Sequence, residues 1–152
     1  MGSVYGKHIK VSIFGQSHAP AVGVVIDGLP AGFRPDMEAL RAFMRRRQPG
    51  RTLLSTQRSE ADLFEVLSGL AGGKLCGAPF AAVIRNSDVR PQDYAGLNRT
   101  PRPGHADFPA HVRYGGHQDP SGGGHFSGRL TAPLCLAGGL FMQMLLSRGI
   151  RI

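Results

Sequence analysis

The chain has no tryptophan, three tyrosines and two cysteines among 152 residues, and its ten acidic residues are outnumbered by eighteen Lys and Arg. Each shortage excludes something. So few large aromatic rings give little of the platform on which single-stranded nucleic acid stacks. Cys76 and Cys135 lie far apart, without CxxC spacing or the density of a secreted disulfide scaffold, so the expectation is two isolated buried thiols in a reducing cytoplasm. The longest apolar stretch, Ala132 to Leu146, is interrupted by Gly138, Gly139 and Gln143. It falls short of the ~20 residues a spanning helix needs and reads as a packed helix. The opening MGSVYGKHIK has no apolar signal region, and Gly6 stands where a myristoylation signal wants Ser or Thr. Neither GxxxxGK[ST] nor a GxGxxG following a strand is present, which removes those nucleotide-binding devices. His105, His111 and His117 recur every six residues with Asp107 between them, but they match neither HExxH nor a cysteine-based zinc spacing, so no metal site is expected.

With 41% hydrophobic residues, one globular domain with a real core is the default for a chain of this length. The formal charge of +8 favours an anionic partner: nucleic acid, an acidic membrane surface or a phosphorylated small molecule. Charge alone does not choose among them.

Val11 to Phe14 and Ala21 to Gly28 read as two strands, the second alternating Val22, Val24 and Ile26 with Gly23, Val25 and Asp27, and SHAP connects them. This puts His18 on a turn. Asp36 caps a helix in which Met37, Leu40, Phe43 and Met44 recur at helical spacing, and Pro49-Gly50 stops it. Arg45, Arg46 and Arg47 therefore fall in its last turn. Phe64 to Leu70 and Phe80 to Arg85 are further strands across the turn AGGKLCGAP, and Asn86 to Gly124 shows almost no periodicity, an irregular span of the kind that is commonly functional or disordered. A final helix begins at Ser127 or Thr131 and runs to about Leu146, with Pro133 tolerated in its opening turn and a C-cap signal at Gly149.

Several clusters admit two readings each. The three arginines are either a solvated face complementing the helix dipole or, joined by Arg51 and Arg58, cations whose forked donors grip phosphate or carboxylate. Gly122, Gly123 and Gly124 form either a flexible surface loop or an anion nest reinforced by the helix that follows. His18 and His105, taken singly, are structural histidines or acid–base groups titrating near neutrality.

The combination is more specific than its parts. FGQSHAPAVG at 14–23 leads to VVIDGLPAG, and RRRQPG at 45–50 is followed by STQRSE at 55–60. The run from Leu67 to Asp88 ends in IRNSD, and then come DY at 93–94, RPGHAD at 102–107, YG at 114–115 and the GGG turn before a helix. In this order and spacing, over essentially all 152 residues, the chain resembles chorismate synthases. Where family members read FGESHG and RSSARE, this chain has Gln16, Ala19 and HFSGRL at 125–130; Gln48 separates the arginines from Pro49, and Leu53 stands where many members carry arginine. Members are usually more than twice as long.

The resemblance implies an α+β fold of the β-α-β sandwich type, of which residues 1–152 would form about the N-terminal half of one domain, with the irregular active-site segment at 86–124. It implies conversion of 5-enolpyruvylshikimate-3-phosphate to chorismate and phosphate by 1,4-anti elimination with reduced FMN. NADPH is implied only where the enzyme reduces its own flavin. By position His18 and His105 are catalytic, the first near the departing phosphate and the second as the group that protonates reduced flavin. Ser17, Arg46, Arg47, Arg102 and Arg129 match substrate-binding positions, while Arg47, His125, Phe126 and Ser127 match cofactor-binding ones. A cytoplasmic homotetramer acting on a phosphorylated dicarboxylate, with no membrane or nucleic-acid partner, completes the picture. Two alternatives stand beside it: an inactive truncated homologue, and a small basic nucleic-acid-binding protein.

Overall fold

The alternation along Ala21–Asp27 determines how the layers stack. Val22, Val24 and Ile26 are wholly buried because every second residue of a strand points to the same side. The structure, a computed structural model, describes residues 3–48, 60–87 and 100–152. Its strands are β1 Val4–Tyr5, β2 Lys10–Gly15, β3 Ala21–Asp27, β4 Phe64–Ser68, β5 Leu70–Ala71, β6 Lys74–Leu75 and β7 Phe80–Arg85, and its helices are α1 Met37–Arg47, α2 Asp107–Tyr114 and α3 Thr131–Leu146. Five strands form one antiparallel sheet in the order β1-β2-β3-β7-β4, and β5 and β6 form a separate hairpin. Val22, Val24 and Ile26 of the central strand lie opposite Ile84, Ala82 and Phe80 of β7. All six side chains are fully buried, and α3 and α1 cover them on that face. The fold is therefore α+β, a five-stranded sheet covered on one face by α3 and α1, with a two-stranded hairpin beside it among the described residues.

Asp36 caps α1 as its sequence requires, its Oδ1 accepting from the Ala39 amide at 2.9 Å. A second device joins α1 to α3. The Gln143 side chain accepts from the Asp36 amide at 2.7 Å and donates to the Asp36 carbonyl at 2.9 Å. Gly139 lets the helices approach, since a Cβ there would lie 2.6 Å from Leu40 Cδ1 and 2.8 Å from Phe43 Cδ1. Two of the three residues that interrupt the apolar run of α3, Gly139 and Gln143, are thus the ones that dock it. By length and composition Gly128–Leu146 could cross a membrane, but here Leu136 and Leu140 are fully buried in the core.

Three expectations change. The strand expected over Phe64 to Leu70 stops at Ser68, because the register shifts after Val66 and Gly69 adopts φ 93°. A Cβ at Gly69 would lie 2.9 Å from the Phe80 amide nitrogen. The span 86–124 is not wholly irregular, since it contains α2, ended by Gly115 in the left-handed conformation; within it, 88–99 lie outside the described residues. Only Ala110 of α2 is buried, so no core-facing stripe announces this helix. Cys76 is exposed and Cys135 half-buried, both as free thiols, where burial of both is expected from composition. Pro49, Gly50, Arg51, Leu53, the segment 55–59, Asp88 and the pair at 93–94 also fall outside the described residues.

Candidate active site

Two histidines separated by most of the chain meet at one glycine turn. His18 lies on the turn between β2 and β3, and His105 on the tight turn leading into α2. Gly122, Gly123 and Gly124 run between them with φ of 61°, 94° and 53°, values that residues with a Cβ rarely adopt. A Cβ on Gly122 would overlap the His18 ring, 2.6 Å from Nδ1, and a Cβ on Gly123 would overlap the His105 ring, 2.8 Å from Nε2. The glycines are there so that two imidazoles can close on bare backbone. Beside the flexible loop and the anion nest that the sequence left open, the structure shows another use, a backbone packed against by two rings. The Gly123 amide donates to the Pro120 carbonyl at 3.4 Å, the Asp119 carboxylate accepts from the Ser121 amide at 2.9 Å, and α3 starts only at Thr131 after two short 3-10 turns.

The His18 turn is held from three sides. Asn86, just past the end of β7, donates its side-chain amide to the carbonyls of Gln16 at 3.1 Å and Ala19 at 2.6 Å, and its backbone amide to Pro20 at 3.1 Å. The Ser17 amide donates to the Gly124 carbonyl at 3.0 Å, and Ser17 is only 2% exposed. His125 pins the glycine turn to β2, its Nδ1 donating to the Gly15 carbonyl at 2.8 Å while Nε2 meets Ser3 Oγ at 2.7 Å. A carbonyl only accepts, so the Nδ1 proton is assigned by that contact. Both ring nitrogens of His125 are therefore engaged within the chain. Phe126 remains 41% exposed with its ring tilted at 48° to that of Tyr114, while Ser127 Oγ accepts from the Arg129 amide at 3.2 Å.

The arginines separate into different environments. Arg129 is buried and donates Nε to Asn86 Oδ1 at 2.9 Å and Nη1 to Asp62 Oδ1, with Nη2 3.7 Å from Glu60. Arg47 donates to the other Asp62 oxygen. Glu60 accepts from the Ser87 amide at 3.0 Å and hydroxyl at 2.8 Å. Among the described residues, two arginines and two carboxylates thus cluster, with Asp62, Glu60 and Arg129 buried, which suits an interior where an unpaired charge is costly. Arg129 contacts its own chain here and opens no face to a ligand, whereas Arg47 keeps 20% of its side chain accessible. Arg46 stands exposed over the Phe43 ring at 5.6 Å, apart from this cluster.

Arg102 is bound to Asp107 by three hydrogen bonds of 2.8 to 3.0 Å from its backbone amide, Nε and Nη2. This grip, opposed by burial, holds the Asp107 carboxyl well below the usual carboxylate range. Asp107 in turn reaches His105 Nδ1 at 2.6 Å. Sequence reasoning missed the roles of Asp62, Asn86 and Asp107. Asn86 and Asp107 stand inside the IRNSD and RPGHAD segments, so motif membership was the only signal for them. Asp62 carried none.

The sequence pattern of the chorismate synthase family matches residues 9–152. The chain belongs to the chorismate synthase family. The chorismate synthase of Lancefieldella parvula is 49% identical over the whole of this chain, which covers 40% of that protein. That of Korarchaeum cryptofilum is 41% identical over 99% of the chain and 42% of its own length. A crystal structure of a chorismate synthase superposes with a TM-score of 0.66 at 26% identity, covering 95% of this chain and 36% of that one. The chain thus spans about two fifths of the length of its chorismate synthase relatives. The family accounts for the motif order, and three of the basic residues, Arg47, Arg102 and Arg129, pair with carboxylates of this chain.

Proposed function

We propose that the whole protein catalyses the 1,4-anti elimination of phosphate from 5-enolpyruvylshikimate-3-phosphate to give chorismate, using reduced FMN. The observation that carries this reading is the meeting of His18 and His105 at Gly122 and Gly123, together with membership of the family. In the elimination the C–O bond to phosphate breaks and a ring proton is lost three carbons farther on, while the double bond between them shifts and a second one forms, leaving a conjugated diene. His18 donates a proton to the departing phosphate as general acid. The ring proton passes to a base outside the described residues.

The described residues fit part of a flavin site: an exposed aromatic ring, Phe126, and an imidazole, His105, with one ring nitrogen on a carboxylate. Phe126 and the backbone of His125 and Ser127 would hold the group, and Arg47 would add charge. Reduced FMN, when bound, supplies transient electron density to the reacting allyl system. His105 holds a proton toward it. Arg47 and Arg102, each partly accessible, would meet substrate anions with Arg46, while Ser17 and Arg129 shape the site from behind. NADPH use at Arg47 belongs to this reading only if the protein reduces its own flavin. The same reading takes the whole protein as a cytoplasmic homotetramer, and the free thiols suit a reducing compartment.

The test is anaerobic turnover by the full chain with reduced FMN. Chorismate and phosphate are expected in equal amounts with no net oxidation of the flavin. Folded, flavin-saturated protein that releases no phosphate would refute the proposal.

A further inference from the structure

Building on the reaction proposed above, we infer that Asp107 is a positioning residue that fixes His105 as the Nδ1–H tautomer, making Nε2 the atom that exchanges the proton. Asp107 Oδ1 lies 2.6 Å from His105 Nδ1, so one of the two atoms must carry a hydrogen. The carboxyl is gripped by three donors of Arg102, which favours its ionised, acceptor-only form. The hydrogen therefore belongs to Nδ1.

Arg102 does not compete for that position. Its Nη2 stands 3.2 Å from Nδ1 and 3.4 Å from Nε2. A donor aimed along the Nδ1 lone pair would be much farther from Nε2, so the guanidinium lies near the ring without bonding one nitrogen. The other charged groups near Asp107 are few among the described residues: Asp119 lines the small cavity that Asp107 also borders, with Gly123 between them on its wall. Nε2 is the nitrogen closer to a Cβ placed on Gly123, whose neighbour Gly122 meets the His18 ring. A ring whose Nδ1 proton is committed can take and return a proton only at Nε2. This needs Asp107 one residue beyond Ala106, in the opening turn of α2, where the backbone turn closed by the His105 amide and the Arg102 carbonyl at 3.3 Å sets both side chains on one side.

Asp107→Asn would offer the ring an amide N–H and favour the Nε2–H tautomer, which leaves Nε2 without its lone pair. Turnover should then fall by about 10²–10⁴-fold, the range for losing correctly poised acid–base catalysis. Asp107→Glu keeps the carboxylate and should restore much of the rate. The deciding readout is the tautomer of His105, read from nitrogen NMR of the full chain labelled at its histidine rings, at a pH where the ring is neutral. Nδ1–H is expected in the wild type and Asp107→Glu, and Nε2–H in Asp107→Asn. A wild-type ring in the Nε2–H form would overturn the inference, whether or not the variants fold. So would an Asp107→Asn ring that keeps the wild-type tautomer. Because the tautomer is read without turnover, a wild type that makes no chorismate but shows Nδ1–H would count against the reaction alone and leave the positioning role standing.

Discussion

Replacing His18 with alanine in the full chain should lower phosphate release by about 10²–10⁴-fold, the share that general acid–base catalysis ordinarily supplies. His105→Ala should do the same. The rings are only partly buried, His18 at intermediate exposure and the His105 side chain 28% exposed, so the melting temperature should move little. Rate and thermal unfolding measured on the same preparations separate the two roles: loss of activity in proportion to loss of stability would make both histidines structural.

The largest effect on stability is expected at Asp62. Its side chain is 1% exposed and pairs with both Arg47 and Arg129, so Asp62→Ala strands two guanidiniums, one of them deeply buried. Removing one partner of a buried pair typically costs about 3–5 kcal/mol, chiefly through the charge left behind. Asp62 also holds φ 48°, a conformation asparagine tolerates better than alanine. Asp62→Asn therefore separates backbone strain from charge, and should recover only the smaller, conformational part of the loss in a denaturant titration. Because Arg129 also bonds Asn86, which clamps the His18 turn, the same substitution should loosen His18.

The parts of the fold legible in the sequence are those governed by neighbours along the chain. Val22, Val24 and Ile26 alternate because β3 is covered on one face, and Asp36 caps α1 within one turn. The sheet order is not local, since β7 must return to lie between β3 and β4, and no spacing in the chain encodes that. α2 escaped because its apolar residues Phe108 and Val112 face outward, so no buried stripe set its period.

For the site, the two imidazoles were found through motif order, and what the structure adds is how they are held. The glycine run suggested a flexible loop or an anion nest; its bare backbone also admits two rings, a use that requires knowing what packs against it. Arg129 read as a cation for a substrate, yet its partners Asp62 and Asn86 lie 67 and 43 residues away in sequence, a distance at which no pattern could pair them. Asp107 stood two residues from His105 and was weighed only as a metal neighbour, because an x-Asp step becomes a His–Asp contact only once the helix start folds both side chains to one side.

The central claim is that His18 and His105 serve one site. The full chain, labelled with carbon-13 at the histidine Cε1 positions, can be titrated with the enolpyruvyl substrate in the presence of oxidised FMN while the signals of the six histidines in residues 1–152 are followed. The signals of His18 and His105 should shift together along a single saturation curve, with His8, on the strand side away from the glycine turn, unmoved. Movement of one catalytic histidine while the other stays fixed at saturating substrate would contradict a shared site.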